Sequence, residues 1–409
     1  MAISVDTWRW LASPDGLEAI ACAPDDASLS AVTRLRKRFD AEKVRGILKA
    51  SRARRKARVK LDAGWADSLL TDVAGVEMAS SARSSAYKAR RFALQHGEGA
   101  LVADLCCGIG ADSWALHGAG LRVVGVDIDE ARVVMFRHNL PGCEVVCGDA
   151  LTDCPPEADA FHLDPARREG TKRTLLVEDF MPGPDVWDSV IERVGSGAIK
   201  LNPGVNAYDL PVGEVEILSE PNGLTQAVLW VGQLAGDSNR RATRLSVDGS
   251  ACSISGEPER PEDACEIGGY VGTLDPCVER ADLMGVLLDE LGVRLVHPGT
   301  GLITSEQSVE HAMVRWYRVL EVMAWNEKRV RAKLRELGVG VVEIRTRGGA
   351  VNPDEVQKKL RGRGDRDDLS VLVYRLGDRV VAIIAEGVQS TTPACRWVHT
   401  GEDGGRDDC

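Results

Sequence analysis

The stretch ALVADLCCGIGADSWAL, residues 100–116, decides the fold. An apolar run ends on Asp104, a loop containing Gly108 and Gly110 follows, and helical spacing begins near Ala111. A strand that passes through glycines into a helix is typical of the first unit of a parallel α/β sheet. Glycine lets the backbone approach a ligand closely at the end of such a strand. The stretch therefore predicts a Rossmann-like sheet with a ligand site beside these glycines.

The charge at this loop discriminates between ligands. A dinucleotide site would have a third glycine at position 113, which is Ser113. A carboxylate at the mouth of the loop, as expected for Asp104, repels a pyrophosphate and suits a ligand with an ammonium group. S-adenosylmethionine carries sulfonium and amino groups and no phosphate. We therefore expect S-adenosylmethionine as the cofactor, and the competing hypothesis of a nicotinamide-dependent oxidoreductase is disfavoured.

Two further apolar runs also end on acids. VVGVDID contains Asp127, 19 residues after Gly108, where a carboxylate usually accepts hydrogen bonds from both ribose hydroxyls, and Ile128 is placed to pack on the adenine. CGDA ends the third run with Asp149, a candidate acceptor for the adenine amino group. Alone, either acid is equally well explained as a helix cap. The predicted cofactor-binding residues are Asp104, Cys106, Gly108, Gly110, Asp127, Ile128, Asp149 and Ala150.

The chain of 409 residues is too long for one ordinary core. Helical spacing dominates before residue 96, strands then alternate with helices, and a smaller α/β pattern follows a polar break. This predicts an N-terminal helical region with a basic arm, a parallel-sheet domain, a linker, a smaller α/β domain and a disordered tail. Their predicted bounds are 1–95, 96–235, 236–265, 266–390 and 391–409, respectively.

Charge is distributed unevenly along the sequence. The chain has a formal net charge of −11, yet residues 34–60 carry thirteen lysines and arginines against only Asp40 and Glu42. A basic arm on an acidic body is typical of a protein that binds a polyanion such as nucleic acid. A solvated helix face is the alternative interpretation.

Composition excludes several other classes. No apolar run approaches the roughly 20 residues of a membrane span, and the N-terminus lacks a signal-peptide core. The eleven cysteines include no C-x-x-C pair, so we expect no metal site and reduced thiols. We expect a cytoplasmic protein that needs neither a membrane nor an obligate protein partner.

Four motifs give the chain a family resemblance: QHGEGALVADLCCGIGADS, FHLDPARR, IKLNPGV and VVEIRTRGG…NPDEVQKKLRGRG. With these motifs the sequence resembles, over roughly residues 30–390, the bacterial class I S-adenosylmethionine-dependent methyltransferases with a C-terminal THUMP-like domain. The resemblance implies that Asp104, Gly108 and Gly110 hold the methionine part of the cofactor, Asp127 the ribose and Asp149 the adenine end. It also implies an RNA substrate, either tRNA or rRNA.

The most specific of these motifs, FHLDPARR, carries the predicted catalytic residues Asp164, Pro165 and Arg167. In methyltransferases that modify an exocyclic amino nitrogen, the fourth strand ends in an acid or Asn, two prolines and an aromatic residue. Asp164 and Pro165 keep the first half of that pattern, whereas Ala166 and Arg167 replace the second. Asp164 is expected to orient or deprotonate the acceptor, and Arg167 to stack on a base, bind a phosphate, or only pair with a nearby acid. The basic residues Arg168, Lys172 and Arg173 follow.

Other catalytic groups find less support. Cys106 and Cys107 lie in the glycine loop and are expected to pack rather than act as nucleophiles. His162 lies within the fourth strand and is expected to be a satisfied core histidine. Two alternatives stay open, namely an inactive RNA-binding protein that retains the fold and a methyltransferase with a non-RNA substrate. The acceptor atom is also open.

Overall fold

The computed structural model describes residues 3–23, 29–167, 176–262, 264–347 and 349–388. The chain divides into two compact units. The first comprises Met1–Val215 and Thr225–Asp237, and the second comprises Glu216–Leu224 and Ser238–Cys409. No helix in the described ranges is both long enough and apolar enough to cross a bilayer.

The first unit begins with helices, as predicted. Most of them start where a serine or aspartate side chain accepts a hydrogen bond from a free backbone N–H of the first turn; the Asp40 carboxylate, for example, accepts from the N–H groups of Glu42 and Lys43. The helices are α1 Val5–Leu11, α2 Pro14–Ala21, α3 Leu29–Arg36, α4 Ala41–Lys60, α5 Ala63–Ser68, α6 Val73–Met78 and α7 Ala82–His96.

A mostly parallel sheet follows. Its parallel strands are β1 Leu101–Leu105, β2 Arg122–Asp127, β3 Glu144–Cys147, β4 Ala160–Leu163 and β7 Gly197–Leu201. Between β4 and β7 the chain forms a separate short pair, β5 Ala166–Arg167 and β6 Phe180–Met181. The alternating helices are α8 Ala111–Gly118, α9 Glu130–Asn139 and α10 Pro184–Val194. Two later strands are β8 Glu214–Glu220 and β9 Gly223–Val231. Within the first unit the strand order is β9-β7-β4-β1-β2-β3, with β9 antiparallel to β7 and the other pairs parallel.

This topology brings the carboxyl ends of β1, β2, β3 and β4 to one edge of the sheet. All five residues of β1 and all four of β4 are buried, as expected for parallel strands that are covered on both faces. The parallel sheet predicted from the run of strands and helices is therefore confirmed, including an antiparallel strand at its end.

The N-terminal helices share one hydrophobic core with the flank of this sheet. Trp8 of α1, Ile47 of α4 and Leu70 pack in the same buried cluster as Phe136 and Leu140 at the end of α9. The boundary predicted at residue 95 thus separates two regions of a single compact unit.

The second unit corrects the predicted linker at 236–265. That segment contains two antiparallel strands, β10 Arg240–Leu245 and β11 Ala251–Gly256, and β8 lies next to β10. The arginines of DSNRRATR suggested a solvated loop, yet four of the six β10 residues are buried. Burial by tertiary partners here overrides local composition.

The remainder of the second unit is a seven-stranded sheet in the order β13-β14-β12-β15-β18-β17-β16. Only the β16–β17 pair is parallel. The predicted hairpin at Gly377-Asp378 is confirmed, and residues 391–409, predicted as a tail, lie outside the described ranges. The strands are β12 Tyr270–Leu274, β13 Arg294–Leu295, β14 Leu302–Ser305, β15 Val314–Ala324, β16 Glu343–Arg347, β17 Leu369–Leu376 and β18 Arg379–Gly387. The helices are α11 Pro276–Arg280, α12 Met284–Leu291, α13 Glu327–Glu336 and α14 Pro353–Leu360.

Candidate active site

The loop after β1 needs its two glycines for different reasons. Gly110 has φ 87° and precedes α8, and a Cβ atom there would collide with the side chain of Leu140. Gly108 has φ 56°, but a Cβ atom there would meet no protein atom within 4 Å. Gly110 thus serves packing, whereas the backbone at Gly108 borders open space that a ligand can enter. Cys106, although not a glycine, also has a positive φ of 59°.

Asp127, at the end of β2, fixes this loop. One carboxylate oxygen accepts a hydrogen bond from the backbone N–H of Gly108 at 2.8 Å, and the other accepts from that of Asp129 at 2.9 Å. Burial raises the pKa of the Asp127 carboxyl, although the two backbone hydrogen bonds oppose the shift. The next side chain, Ile128, is 77% exposed. A hydrogen-bond acceptor and an uncovered apolar surface therefore lie together beside the loop.

Asp149 is exposed at the end of β3, and its carboxylate accepts a hydrogen bond from the backbone N–H of Leu151 at 2.8 Å. Its own N–H donates to Asp153 at 2.9 Å, and Ala150 beside it is buried. Asp149 therefore stabilises the local turn, which is the role that the sequence left open for it. Because the residue is exposed, its carboxylate also remains accessible.

Asp104 lies beneath the loop rather than at its mouth. The side chain is only 1% exposed, and Ser113 donates a hydrogen bond to one of its oxygens. The other oxygen lies 2.8 Å from Nδ1 of His162. Because an ionised carboxylate can only accept, His162 donates through Nδ1 and presents Nε2 as an acceptor. The prediction that His162 is a satisfied core histidine is confirmed, whereas the expected position of Asp104 is corrected.

Sequence reasoning missed the charged pair that completes this buried network. The Lys88 ammonium on α7 lies 2.8 Å from Asp112 of α8 and 3.0 Å from Nε2 of His162. Although burial alone would raise the pKa of Asp112, the adjacent Lys88 ammonium lowers it. Lys88 stands four residues from both Ser84 and Phe92, which are also buried, so a lysine on the buried face of a helix was the available signal.

Four carboxylates act on the thiol of Cys106. Burial raises its pKa well above the usual range, and Asp127, Asp164, Asp104 and Asp149 raise it further. The thiol therefore stays protonated, which excludes Cys106 as a thiolate nucleophile at neutral pH. The acids predicted at four strand ends therefore all lie within electrostatic reach of the Cys106 thiol.

Asp164 follows β4, and its side chain is 28% exposed. One of its oxygens lies 2.7 Å from the Lys200 ammonium of β7, which also donates to the carbonyl of Met78 at 2.8 Å. Burial works against the charge of Lys200, but Asp164 and Asp112 outweigh it and raise the Lys200 pKa. Lys200 was not predicted as a site residue, and the signal for it was a lysine within the buried strand GAIKL.

The residues after Asp164 change direction through Pro165, which is buried. Ala166 and Arg167 form β5, which pairs antiparallel with Met181 and Phe180 of β6. The side chain of Arg167 lies outside the described part of the chain, as do the further basic residues Arg168, Lys172 and Arg173.

Lys60, the last residue of α4, lies close to this pair. Its ammonium donates to the carbonyls of Val76 and Glu77 at 2.9 and 2.7 Å. Burial and the positive charge of Lys200 lower the pKa of Lys60 to about 8, while Asp164 opposes the shift. The basic helix therefore ends within electrostatic reach of Asp164.

Comparison with known proteins assigns the family. Two curated proteins of Mycobacterium tuberculosis, from strains CDC 1551 and H37Rv, are each named as an uncharacterized S-adenosylmethionine-dependent methyltransferase. Each is 32% identical to this chain over 341 residues, which cover 79% of this chain and 90% of the relative. The chain belongs to the S-adenosylmethionine-dependent methyltransferases. S-adenosylmethionine is accordingly the cofactor of this methyltransferase, and the resemblance inferred from the motifs is confirmed.

Further matches describe the two ends of the methyltransferase and its fold. Residues 314–387 match a family described as THUMP domain-like, and residues 4–57 match a domain of unknown function, DUF8688. A crystal structure from Porphyromonas gingivalis W83, described as a candidate methyltransferase, superposes with a TM-score of 0.70 at 19% identity. That match covers 95% of this chain and 98% of the other, so both proteins share one fold over nearly their whole length.

Proposed function

We propose that this methyltransferase transfers a methyl group to a base in RNA, and that Asp164 orients the acceptor. The observation that carries the proposal is the position of Asp164 after β4, partly exposed, paired with Lys200 and near the glycine loop. S-adenosylmethionine supplies an electrophilic methyl group on a cationic sulfur.

The residues at the loop fit this cofactor. Open space at Gly108, an acceptor at Asp127 and the exposed surface of Ile128 would hold the methionine part, the ribose and the adenine ring. Asp149 and Ala150 would border the adenine end. Cys106 and Gly110 give the loop its shape through their positive φ angles. Because both oxygens of Asp104 are engaged beneath the loop, its charge would favour a cation through space.

The local geometry supports a positioning role for Asp164. Among the hydrogen bonds of the described residues, Lys200 engages only Oδ2, so Oδ1 remains available to accept from an N–H or O–H of the acceptor. The Pro165 ring fixes its own φ angle, which restrains the backbone after Asp164, and the carbonyl of Pro165 would be a second acceptor. Holding a nucleophile in line with a methyl group accounts for much of the acceleration available to such a reaction.

The RNA substrate is supported by the THUMP-like match and by charge. Lys358, Arg361 and Arg363, within and just after α14, are exposed. By contrast, Arg345 and Arg347 of the RTRGG motif are ion-paired with Glu343 and Glu279. The exposed residues near α14 are therefore the better candidates for phosphate contacts in this unit.

The experiment is to incubate purified enzyme with labelled S-adenosylmethionine and RNA from cells that lack the gene. We expect Asp164→Ala to reduce methyl transfer to RNA by about 10²- to 10⁴-fold while S-adenosylmethionine binding is retained. The matched control is Asp188→Ala, an exposed aspartate on α10, which should keep wild-type activity. Nucleoside mass spectrometry then identifies the modified base.

Two outcomes would reject the proposal in different ways. Label that passes to small molecules or proteins but never to RNA would reject the substrate. Full activity of Asp164→Ala on RNA would reject the role of Asp164 and leave the substrate intact.

A further inference from the structure

The thirteen basic residues of 34–60 do not form one uniform surface. On α4, four of them are exposed at a helical spacing of four, three and four residues: Arg45, Lys49, Arg52 and Lys56. At 3.6 residues per turn these positions fall within an arc of about 60° and extend for roughly 16 Å along the axis. We call these four residues the α4 stripe.

Other basic residues of α4 have structural partners. Arg54 donates to the carbonyls of Leu69 and Ser68, Arg55 donates to Ser51, and Arg58 pairs with Asp67 at 2.7 Å. These contacts connect α4 to the following segment.

The residues of the α4 stripe have fewer partners. Lys56 is paired with Glu77, whereas Arg45, Lys49 and Arg52 form no ion pair among the residues that the structure describes. The carboxylates of Glu42 and Glu77 act electrostatically on Arg45 and Arg52, yet a row of cations this dense is favourable only in contact with solvent or with an anionic partner.

The stripe cannot rotate away from the surface. The opposite side of α4 is packed in the core, where Val44, Ile47, Ala50, Ala53 and Ala57 are at most 3% exposed. Turning the helix would expose these side chains, so the stripe is a fixed feature of the folded first unit.

The direction of the stripe connects it with the candidate active site. One turn beyond Lys56, Lys60 continues the same face. Its ammonium donates to the carbonyl of Glu77, and the carbonyl of the next residue, Met78, accepts from the Lys200 that pairs with Asp164. A row of positive charge therefore leads along about 22 Å of helix towards the carboxylate proposed to orient the acceptor.

We infer that the α4 stripe is the track that binds the sugar–phosphate backbone of the RNA and delivers the target nucleotide to Asp164. This inference rests on the proposed function. A polyanion fits better than a membrane surface, because Val59 is the one large apolar side chain of α4 among those the structure describes as exposed, and it offers too little to insert into lipid. Phosphate contacts of this kind carry affinity rather than base specificity.

The test measures binding of full-length protein to fluorescently labelled bulk tRNA and bulk rRNA over a range of salt concentrations. The stripe variant is Lys49→Gln/Arg52→Gln. The matched control is Arg122→Gln/Arg137→Gln, which removes the same charge from exposed positions outside α4. We expect the stripe variant to bind RNA roughly 10- to 50-fold more weakly near 0.1 M salt, with a salt dependence about 1.4 to 1.8 shallower in slope. Unchanged S-adenosylmethionine binding confirms that each variant is folded.

Each other outcome is decisive. Wild-type RNA affinity in the stripe variant, or an equal loss in the control, would overturn the stripe inference but leave the RNA substrate standing. If the wild-type protein binds neither tRNA nor rRNA, both proposals are overturned. This holds even if the protein binds phosphatidylglycerol vesicles or polyglutamate instead.

Discussion

At the residue scale, the candidate site consists of carboxylates whose surroundings differ. Asp104 is sealed beneath the glycine loop, Asp127 fixes that loop, and Asp164 is partly exposed beside an ammonium group. The sequence predicted these acids because each ends an apolar run. Their different environments depend on Lys88 and Lys200, which approach from other elements. Of these three acids, only Asp164 is exposed enough to contact an acceptor substrate.

Lys200→Met tests whether the lysine positions Asp164. We expect methyl transfer to fall by about 10- to 100-fold, because the carboxylate loses the ammonium that lies 2.7 Å away. Lys200→Arg should restore most of the activity. Wild-type methyl transfer by Lys200→Met would show that the lysine does not position Asp164, and loss of S-adenosylmethionine binding would show that its role is only structural.

At the scale of elements, α4 combines three functions in one helix. Its alanine-rich side packs in the core, several of its arginines connect it to the next segment, and its stripe faces solvent. The sequence predicted a basic helix face or arm, but pattern alone did not show which cations have partners. Lys60, at the end of α4, is the clearest example of what the pattern does not show, because burial lowers its pKa and so opposes its positive charge.

Lys60 should make stability depend on pH. Its pKa is about 8 in the folded protein, below the value of about 10.4 expected in the unfolded chain. Between these values the unfolded state binds more protons, so this residue's contribution to stability should rise with pH from about 8 to 10. We expect urea midpoints of the wild type to rise relative to those of Lys60→Met over that range.

The matched control is Lys49→Met, on the exposed face of the same helix, which should follow the wild type. The prediction would be contradicted if the urea midpoints of Lys60→Met and of the wild type stayed parallel from pH 7 to 10.

At the scale of the whole molecule, the N-terminal helices and the parallel sheet form one unit with a shared core. The sequence suggested separate regions because hydrophobic spacing changes abruptly near residue 96. Spacing reports which side of each element is apolar, but it does not report which element covers that side. The glycine loop, whose Cys107 and Ile109 lie in this core, is therefore stabilised by helices distant from it in sequence.

Ile47→Ala tests this shared core. The side chain is fully buried on α4, so we expect the unfolding free energy to fall by about 2 to 5 kcal/mol. Tryptophan fluorescence and S-adenosylmethionine binding should be lost together at a lower urea concentration. Val59→Ala, at a position 91% exposed on the same helix, should change neither. S-adenosylmethionine binding that outlasts the fluorescence transition would show that the helices fold separately.

The sequence by itself determined the fold class, most of the helices and strands, the glycine loop and the acids at the strand ends. These features depend on residues close together in the chain, namely caps, glycines and the period of apolar side chains. The tertiary structure alone decided that Asp104 is covered, that Lys88 and Lys200 enter the site, and that β10 and β11 replace a predicted linker. The energies of these features arise from burial and charge pairing between distant segments, and no local pattern encodes the distance between two such segments.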